Sequence, residues 1–358
     1  MRKGLPGAIL TCQVVLLACV AGCASTPGAE RVSAPTGHGP LSGRPLGPGS
    51  GIRLLVTGGP APAILDVDTG VLTPVLGLPR PDPRGTLLAF VHGGHTVLAW
   101  SGPEAERGRL YLLKGRQARK LATGWYAFPA SDGSGFWITD RPAHDSSCTV
   151  RKQAEDGRVL SRPRWSYCGA LPFGDTPYGL HTRHRDESLL LSHDGLRKTA
   201  RYPRIVAATS RELLVQRSGG KFALVIPGGK ERPTSAPTGS GTVNDGAVSA
   251  DGRYVAVPFL TPTSGAHESL DVWVLDTANL RWTQVPSMPV PVDVKTRRMR
   301  WAPDGRLVFA GAFVTAMDAH PRESGYTSMI ATWRPGERTL SLRRLPVDGQ
   351  TGMEIIAP

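Results

Sequence analysis

Ala250-Asp251-Gly252-Arg253-Tyr254-Val255-Ala256-Val257 and Pro303-Asp304-Gly305-Arg306-Leu307-Val308-Phe309-Ala310 are near copies of one phrase, set about fifty residues apart. Each joins an Asp-Gly turn to a short apolar run. Asp in such a turn hydrogen-bonds the backbone ahead of it, and Gly supplies the positive φ that closes it. Degenerate versions stand at Pro83-Arg84-Gly85-Thr86, Ser131-Asp132-Gly133-Ser134 and Ser210-Arg211-Glu212-Leu213. A second phrase follows the better copies: Asp271-Val272-Trp273-Val274-Leu275-Asp276-Thr277, then Trp282-Thr283-Gln284-Val285. Ile64-Leu65-Asp66-Val67-Asp68-Thr69-Gly70 precedes Leu72-Thr73-Pro74-Val75 in the same way.

From Ile52 onward the chain is a succession of apolar runs of four to seven residues, closed by Gly, Asp-Gly or Gly-Gly. Such runs fit strands, and no segment sustains a 3.6-residue period with caps. The predicted class is all-β. The paired phrases resemble the repeats of TolB-like and WD40-like β-propellers of bacterial exported proteins. That resemblance implies a single β-propeller of about seven four-stranded blades, with six to eight compatible with the length. Blade boundaries are expected near residues 52, 83, 125, 170, 203, 241 and 296. Met353-Glu354-Ile355-Ile356 or Ile52-Arg53-Leu54-Leu55 would supply the strand that closes the ring.

The N-terminus carries a different signal. MRKGLPGAILTCQVVLLACVAGC has a basic start, an apolar run from Leu5 to Val20 and a small-residue end, the pattern of a secretory signal peptide. Val20-Ala21-Gly22-Cys23 resembles the bacterial lipobox, which implies a lipid-modified Cys23 and a bacterial lipoprotein. Residues 1–22 are then the signal peptide. Residues 23–50, rich in Pro, Gly and Ser, are the lipidated N-terminus and a flexible tether, since they lack apolar surface to offset ordering entropy. Residues 51–358 form the propeller. The expected location is the extracytoplasmic face of the cell membrane.

The 358-residue chain has a formal charge of +13, and 34 of its 42 basic residues are arginine. No basic run interleaves with aromatics, so nucleic acid is not an expected partner. Of five cysteines, Cys12 and Cys19 lie in the signal and Cys23 is the anchor. Cys148 and Cys168 remain, an even pair in an oxidising compartment, and are expected to form a disulfide within the third blade.

Catalytic signatures are missing: there is no Gly-x-Ser-x-Gly elbow, His-Glu-x-x-His or P-loop. The Asp-Gly pairs read as turns rather than calcium ligands. His92/His95 and His181/His184 have spacings a metal could use, but Arg183 and Arg185 disfavour a cation there. No catalytic residue, metal or cofactor is therefore assigned. Thr261 to Ser269 and Ala316 to Gly325 read as loops decorating one propeller face, which places His267, Glu268, Asp318, His320 and Arg322 near a binding surface. The leading expectation is a membrane-anchored, non-enzymatic module that binds an extracytoplasmic protein or the cell wall. The alternatives are a small-molecule-sensing propeller coupled to a membrane partner, and a lactonase- or lyase-like enzyme using the central channel.

Overall fold

The computed structural model describes residues 41–358 except 58–60, 80–85, 93–94, 102–107, 141–146, 168–171, 185–186, 195, 236, 238–240, 263–266, 294–297, 315–325, 348–351 and 357–358. Among the described residues, apart from a 3₁₀ turn at Ser218–Gly220, the regular structure is all strand.

Among the described residues, the strands group into seven four-stranded antiparallel units. Their innermost strands are Gly352–Ile356 in unit one, then Thr86–His92, Tyr126–Pro129, Pro172–Thr176, Arg204–Ala208, Ala247–Val248 and Arg298–Trp301 in units two to seven. Each inner strand except the first opens its unit in sequence, within a few residues of the expected boundaries. In unit one the inner strand comes from the C-terminal end of the chain. Gly352–Ile356 pairs antiparallel with Arg53–Thr57, register Glu354 to Leu55, so first and last repeats share a sheet.

The units form a closed ring. Inner strands touch in the order one to two, two to three, and on through six to seven and seven back to one, with the third strand of unit four, Glu187–Leu191, making the contact to unit five. Seven hydrophobic clusters fill the seven interfaces in the same order. Val308, Ala310 and Ile330 of unit seven pack on Leu54, Leu65 and Met353 of unit one. Leu55 and Ile64 then pack on Leu98 and Trp100 of unit two. The chain is an all-β propeller. Its middle strands are sandwiched between neighbouring sheets, which explains continuous apolar runs such as Val255-Ala256-Val257, buried on both faces.

The Asp-Gly turns take the expected form. Gly133, Gly252 and Gly305 have φ of 69°, 72° and 81°. Asp251 Oδ1 accepts from the Arg253 N–H at 3.0 Å and the Ser249 hydroxyl at 2.6 Å. These carboxylates hold turns.

Two stretches depart from the sequence reading. Of the stretch Thr261 to Ser269, expected to be loop, the described residues Thr261, Pro262 and His267 to Ser269 are strand: Tyr254–Pro262 and His267–Asp276 pair antiparallel, with Thr261 opposite Ser269. The strand Val290–Asp293 then pairs with this extension and with Phe313, joining units six and seven into one eleven-stranded sheet. The second departure is at the tether boundary. Gly43–Pro45, expected to be tether, runs parallel to Leu340–Leu342 at the outer edge of unit seven. Gly43 is required there, because a Cβ would lie 2.4 Å from the Leu340 carbonyl oxygen. Arg343 fixes the segment by donating to the carbonyls of Leu46 and Gly47 at 2.9 and 3.0 Å and to Asp68 at 3.1 Å.

Candidate functional site

All seven units meet in an axial cavity of about 1070 Å³ at the C-terminal ends of the inner strands. Its wall combines small residues, such as Ala130, Gly174, Ala208, Gly246 and Ala247, with larger apolar ones, such as Ile52, Phe128, Met299, Trp301 and Ile355. The polar side chains it includes are few, and Asp175, Arg300, Asp304 and Arg306 carry its clearest charges.

Asp175 stands on the inner strand of unit four with 3 % of its side chain exposed. Oδ2 accepts from the Ser131 N–H at 2.8 Å and from Trp137 Nε1 at 2.9 Å, both in unit three. Oδ1 meets His193 Nε2 at 2.6 Å, and the His193 ring stacks on Trp137. This carboxylate is a pin between two units. Asp304 is similarly engaged, by Arg306 Nε at 2.6 Å and Arg334 at 3.1 Å. Asp132, on the neighbouring turn, bonds Lys152 Nζ at 2.6 Å, which with Ser134 holds its carboxyl far below the ordinary range.

Arg300 is different. Its guanidinium is half-buried, and its one resolved bond runs from Nη1 to the Ile355 carbonyl at 3.3 Å. Burial lowers its pKa while Glu354 opposes that effect. Glu354 is itself paired with Arg298, yet burial still holds its carboxyl above the ordinary value.

A second polar group gathers toward the N-terminal ends of the inner strands. Arg183 of unit four and Arg204 of unit five both point at Oδ1 of Asp245, on the turn leading into unit six, at 2.9 and 3.4 Å. Tyr126 of unit three has its phenol pKa raised by burial and further by the charge of Asp245.

His181 sits among these groups, buried, and its pKa is pushed down to about 4 by burial, with Arg183 and Arg204 adding to the effect and Asp245 opposing it. In the unfolded chain the ring titrates near 6.5. Unfolded molecules therefore take up a proton that folded ones refuse until about pH 4, and stability falls as pH drops through that window. The expected loss is about 3 kcal/mol by pH 4. Glu354 acts in the opposite sense, since its raised pKa favours the folded state on acidification. Comparing pH-dependent melting of the wild type with His181→Gln isolates the histidine. A slope between pH 6.5 and 4 that is unchanged in the variant would contradict the assignment.

The residues selected from sequence fare unevenly. Glu268 is half-buried in a strand opposite Val292, and His267 pairs in register with Asp293, so both belong to the extended hairpin rather than a loop. Cys148 is fully buried opposite Ser166. Cys168, Asp318, His320, Arg322 and Cys23 lie outside the described residues. His181 and His184 share a strand, but no group of three His, Cys, Asp or Glu suited to a metal occurs among the described residues. Sequence reasoning missed Asp175, Arg204, Asp245 and Glu354. Arg204 opens its inner strand and Asp245 precedes one by two residues, whereas Asp175 and Glu354 lie within theirs, so no shared local pattern marks them.

No family model and no curated protein matches the chain. Among solved structures, a Bacteroides fragilis protein provisionally named a 6-phosphogluconolactonase is 12% identical, over 86% of this chain and 98% of that one, with a TM-score of 0.46. Hsv2 of Kluyveromyces lactis is 10% identical over 73% and 98%, with a TM-score of 0.42. Hydrazine synthase of Kuenenia stuttgartiensis is 12% identical over 72% and 94%, with a TM-score of 0.36. Similarities at these scores carry no argument, and the propeller assignment stands on the strand topology and the closed ring of interfaces.

Proposed function

We propose that this chain is an exported lipoprotein, anchored at Cys23 to the outer face of the cell membrane. Its propeller is a non-enzymatic module that offers its channel and the surrounding face to an extracytoplasmic protein or cell-wall partner. One observation supports binding over acid–base or metal chemistry. The described carboxylates of the cavity, Asp175 and Asp304, are already engaged by structural donors. The Arg300 guanidinium, whose hydrogen bond runs to the Ile355 carbonyl, lines the same wall and is suited to recognition, and the His95 imidazole lines it as well. The anchor rests on the Val20-Ala21-Gly22-Cys23 pattern and the signal-like run before it.

Fractionation tests the anchor: wild type stays in washed membranes and Cys23→Ala is released, whereas membrane retention of the variant would overturn it. Cross-linking pull-down from intact membranes, with a high-salt wash to remove charge-driven carry-over, tests the binding module. One or two proteins or wall fragments recovered at stoichiometric level is the expected result. A divalent ion co-purifying with the propeller would instead favour the enzyme reading. We further propose that Cys148 pairs with Cys168. Cys148 is buried, and the strand opposite it, Arg164–Tyr167, ends one residue before Cys168. Free-thiol labelling of the same preparation, without reductant, should leave both unmodified.

A further inference from the structure

We propose that the axial cavity binds a monocarboxylate with an apolar body, its carboxylate held by Arg300 and its body laid along the apolar wall. The inference rests on the reading of the channel as a binding site and names what that site takes.

Among the described residues, the ionisable side chains that line the cavity are those of His95, Asp175, Arg300, Asp304 and Arg306. Three of these are committed to the fold. Asp175 is held by Ser131, Trp137 and His193, with 3 % of its side chain exposed. Asp304 is paired with Arg306 and Arg334, and Arg306 also donates from Nη2 to the Ser50 carbonyl at 2.6 Å. Arg300 is not committed in this way. Glu354, the acid beside it, is bonded by Arg298 instead. Of the five N–H bonds a guanidinium can donate, Arg300 makes one to a described residue, the long contact with the Ile355 carbonyl at 3.3 Å. The His95 side chain makes no hydrogen bond to a described residue. Its ring meets Phe136 in a T-shaped contact, with centroids 5.3 Å apart.

This wall sets the ligand class. A cationic ligand would find both carboxylates already engaged. A half-buried guanidinium, by contrast, gains from an anion brought to it, and a planar carboxylate matches its fork with two parallel N–H bonds. One cation balances one negative charge, so a phosphate dianion would carry a second charge with no partner waiting. Phe128, Met299, Trp301 and Ile355 offer apolar surface to the rest of the ligand. The cavity volume, about 1070 Å³, is close to the upper bound for small-molecule pockets, about 1,000 Å³. It admits a small molecule or a chain end, not a folded partner. A peptide C-terminus and an acyl chain share this chemistry, and the probes separate them.

Isothermal titration of the full-length protein in a neutral detergent, at low salt, compares N-acetylphenylalanine and hexanoate, each with its neutral amide, and N-acetylglycine. Wild type is expected to bind N-acetylphenylalanine if the natural ligand is a peptide terminus, hexanoate if it is an acyl chain, and both if the site reads only the shared chemistry. An acid that binds should exceed its amide by about tenfold. It should exceed N-acetylglycine, which lacks the apolar body, by about tenfold as well. Arg300→Gln should weaken the acid by about tenfold or more. Should that variant unfold, Arg300→Lys keeps the charge without the fork and should weaken it by about threefold. Failure of both acids to bind wild type, equal binding of acid and amide, or N-acetylglycine binding as tightly as the larger acids would each overturn the site. So would indifference to Arg300→Gln or, where that variant unfolds, to Arg300→Lys. None of these results bears on partner recovery in the pull-down, so the two readings fail separately.

Discussion

Deleting residues 352–358 is expected to abolish cooperative unfolding. The strand Gly352–Ile356 supplies the inner edge of unit one by pairing along the whole of Arg53–Thr57. Its side chains work on both sides of the seam. Met353 and Ile355 join the cluster shared with unit seven, and Ile356 joins the one shared with unit two. At roughly 1.5–3 kcal/mol for each large apolar side chain buried, these three account for about 5–9 kcal/mol. That is comparable to the whole stability of a typical domain, about 5–15 kcal/mol. The deletion would also leave Arg298 without Glu354 and Arg300 without the Ile355 carbonyl. Thermal melting followed by circular dichroism should show a broad, shallow transition, and limited proteolysis should cut throughout the chain. A sharp transition within a few degrees of wild type would mean that the ring holds without its closing strand. A milder variant, Ile355→Ala, should keep the transition and lower stability by about 2–5 kcal/mol.

The second large effect is expected at Asp175. Asp175→Ala removes the acceptor for the Ser131 N–H, for Trp137 Nε1 and for His193, contacts that span 44, 38 and 18 residues of sequence. Hydrogen bonds to a charged group contribute about 1.5–3 kcal/mol each, and buried donors left unsatisfied add their desolvation penalty. Because these bonds share one carboxylate, the sum is less than additive. A net loss of about 3 kcal/mol is expected, which lowers the melting temperature by roughly 5 °C for a domain of this size. Tryptophan fluorescence should change as well, since Trp137 loses both its acceptor and its stacked partner. Asp175→Asn keeps one carbonyl acceptor and should cost less. Equal melting temperatures for wild type and Asp175→Ala would show that the pin contributes nothing to the joint between units three and four.

Much of the scaffold was legible in the chain because its signals are local. A strand between two sheets must be apolar on both faces, so Val255-Ala256-Val257 and Leu307-Val308-Phe309 announce themselves as runs. The turn chemistry of Asp251-Gly252 and Asp304-Gly305 depends on residues within three positions of each other. The closing strand could be anticipated too, because a circular array of repeats leaves one inner strand to be supplied from elsewhere, and Met353 to Ile356 has the right composition. The extended hairpin at Thr261 to Ser269 was harder to see. Pro262, His267 and Glu268 resemble loop residues in sequence, and only the pairing of His267–Asp276 with Tyr254–Pro262 and Val290–Asp293 makes them strand.

The site was not legible, and the reason is physical. Arg183, Arg204 and Asp245 belong to three different units and meet only because each unit presents its inner edge to one axis. Nothing near them in sequence distinguishes them from the other charged residues of an arginine-rich chain. Asp175 likewise gains its role from donors on a neighbouring sheet. Gly43–Pro45, too polar and short to read as a strand, is ordered by an edge formed some three hundred residues later. By itself, the sequence determined the all-β class, the repeat, the turns and the means of closure, since these follow from side-chain period and backbone preference over a few residues. The tertiary structure alone decided which charges converge, because convergence depends on closing the ring, and ring closure is a property of the packed whole.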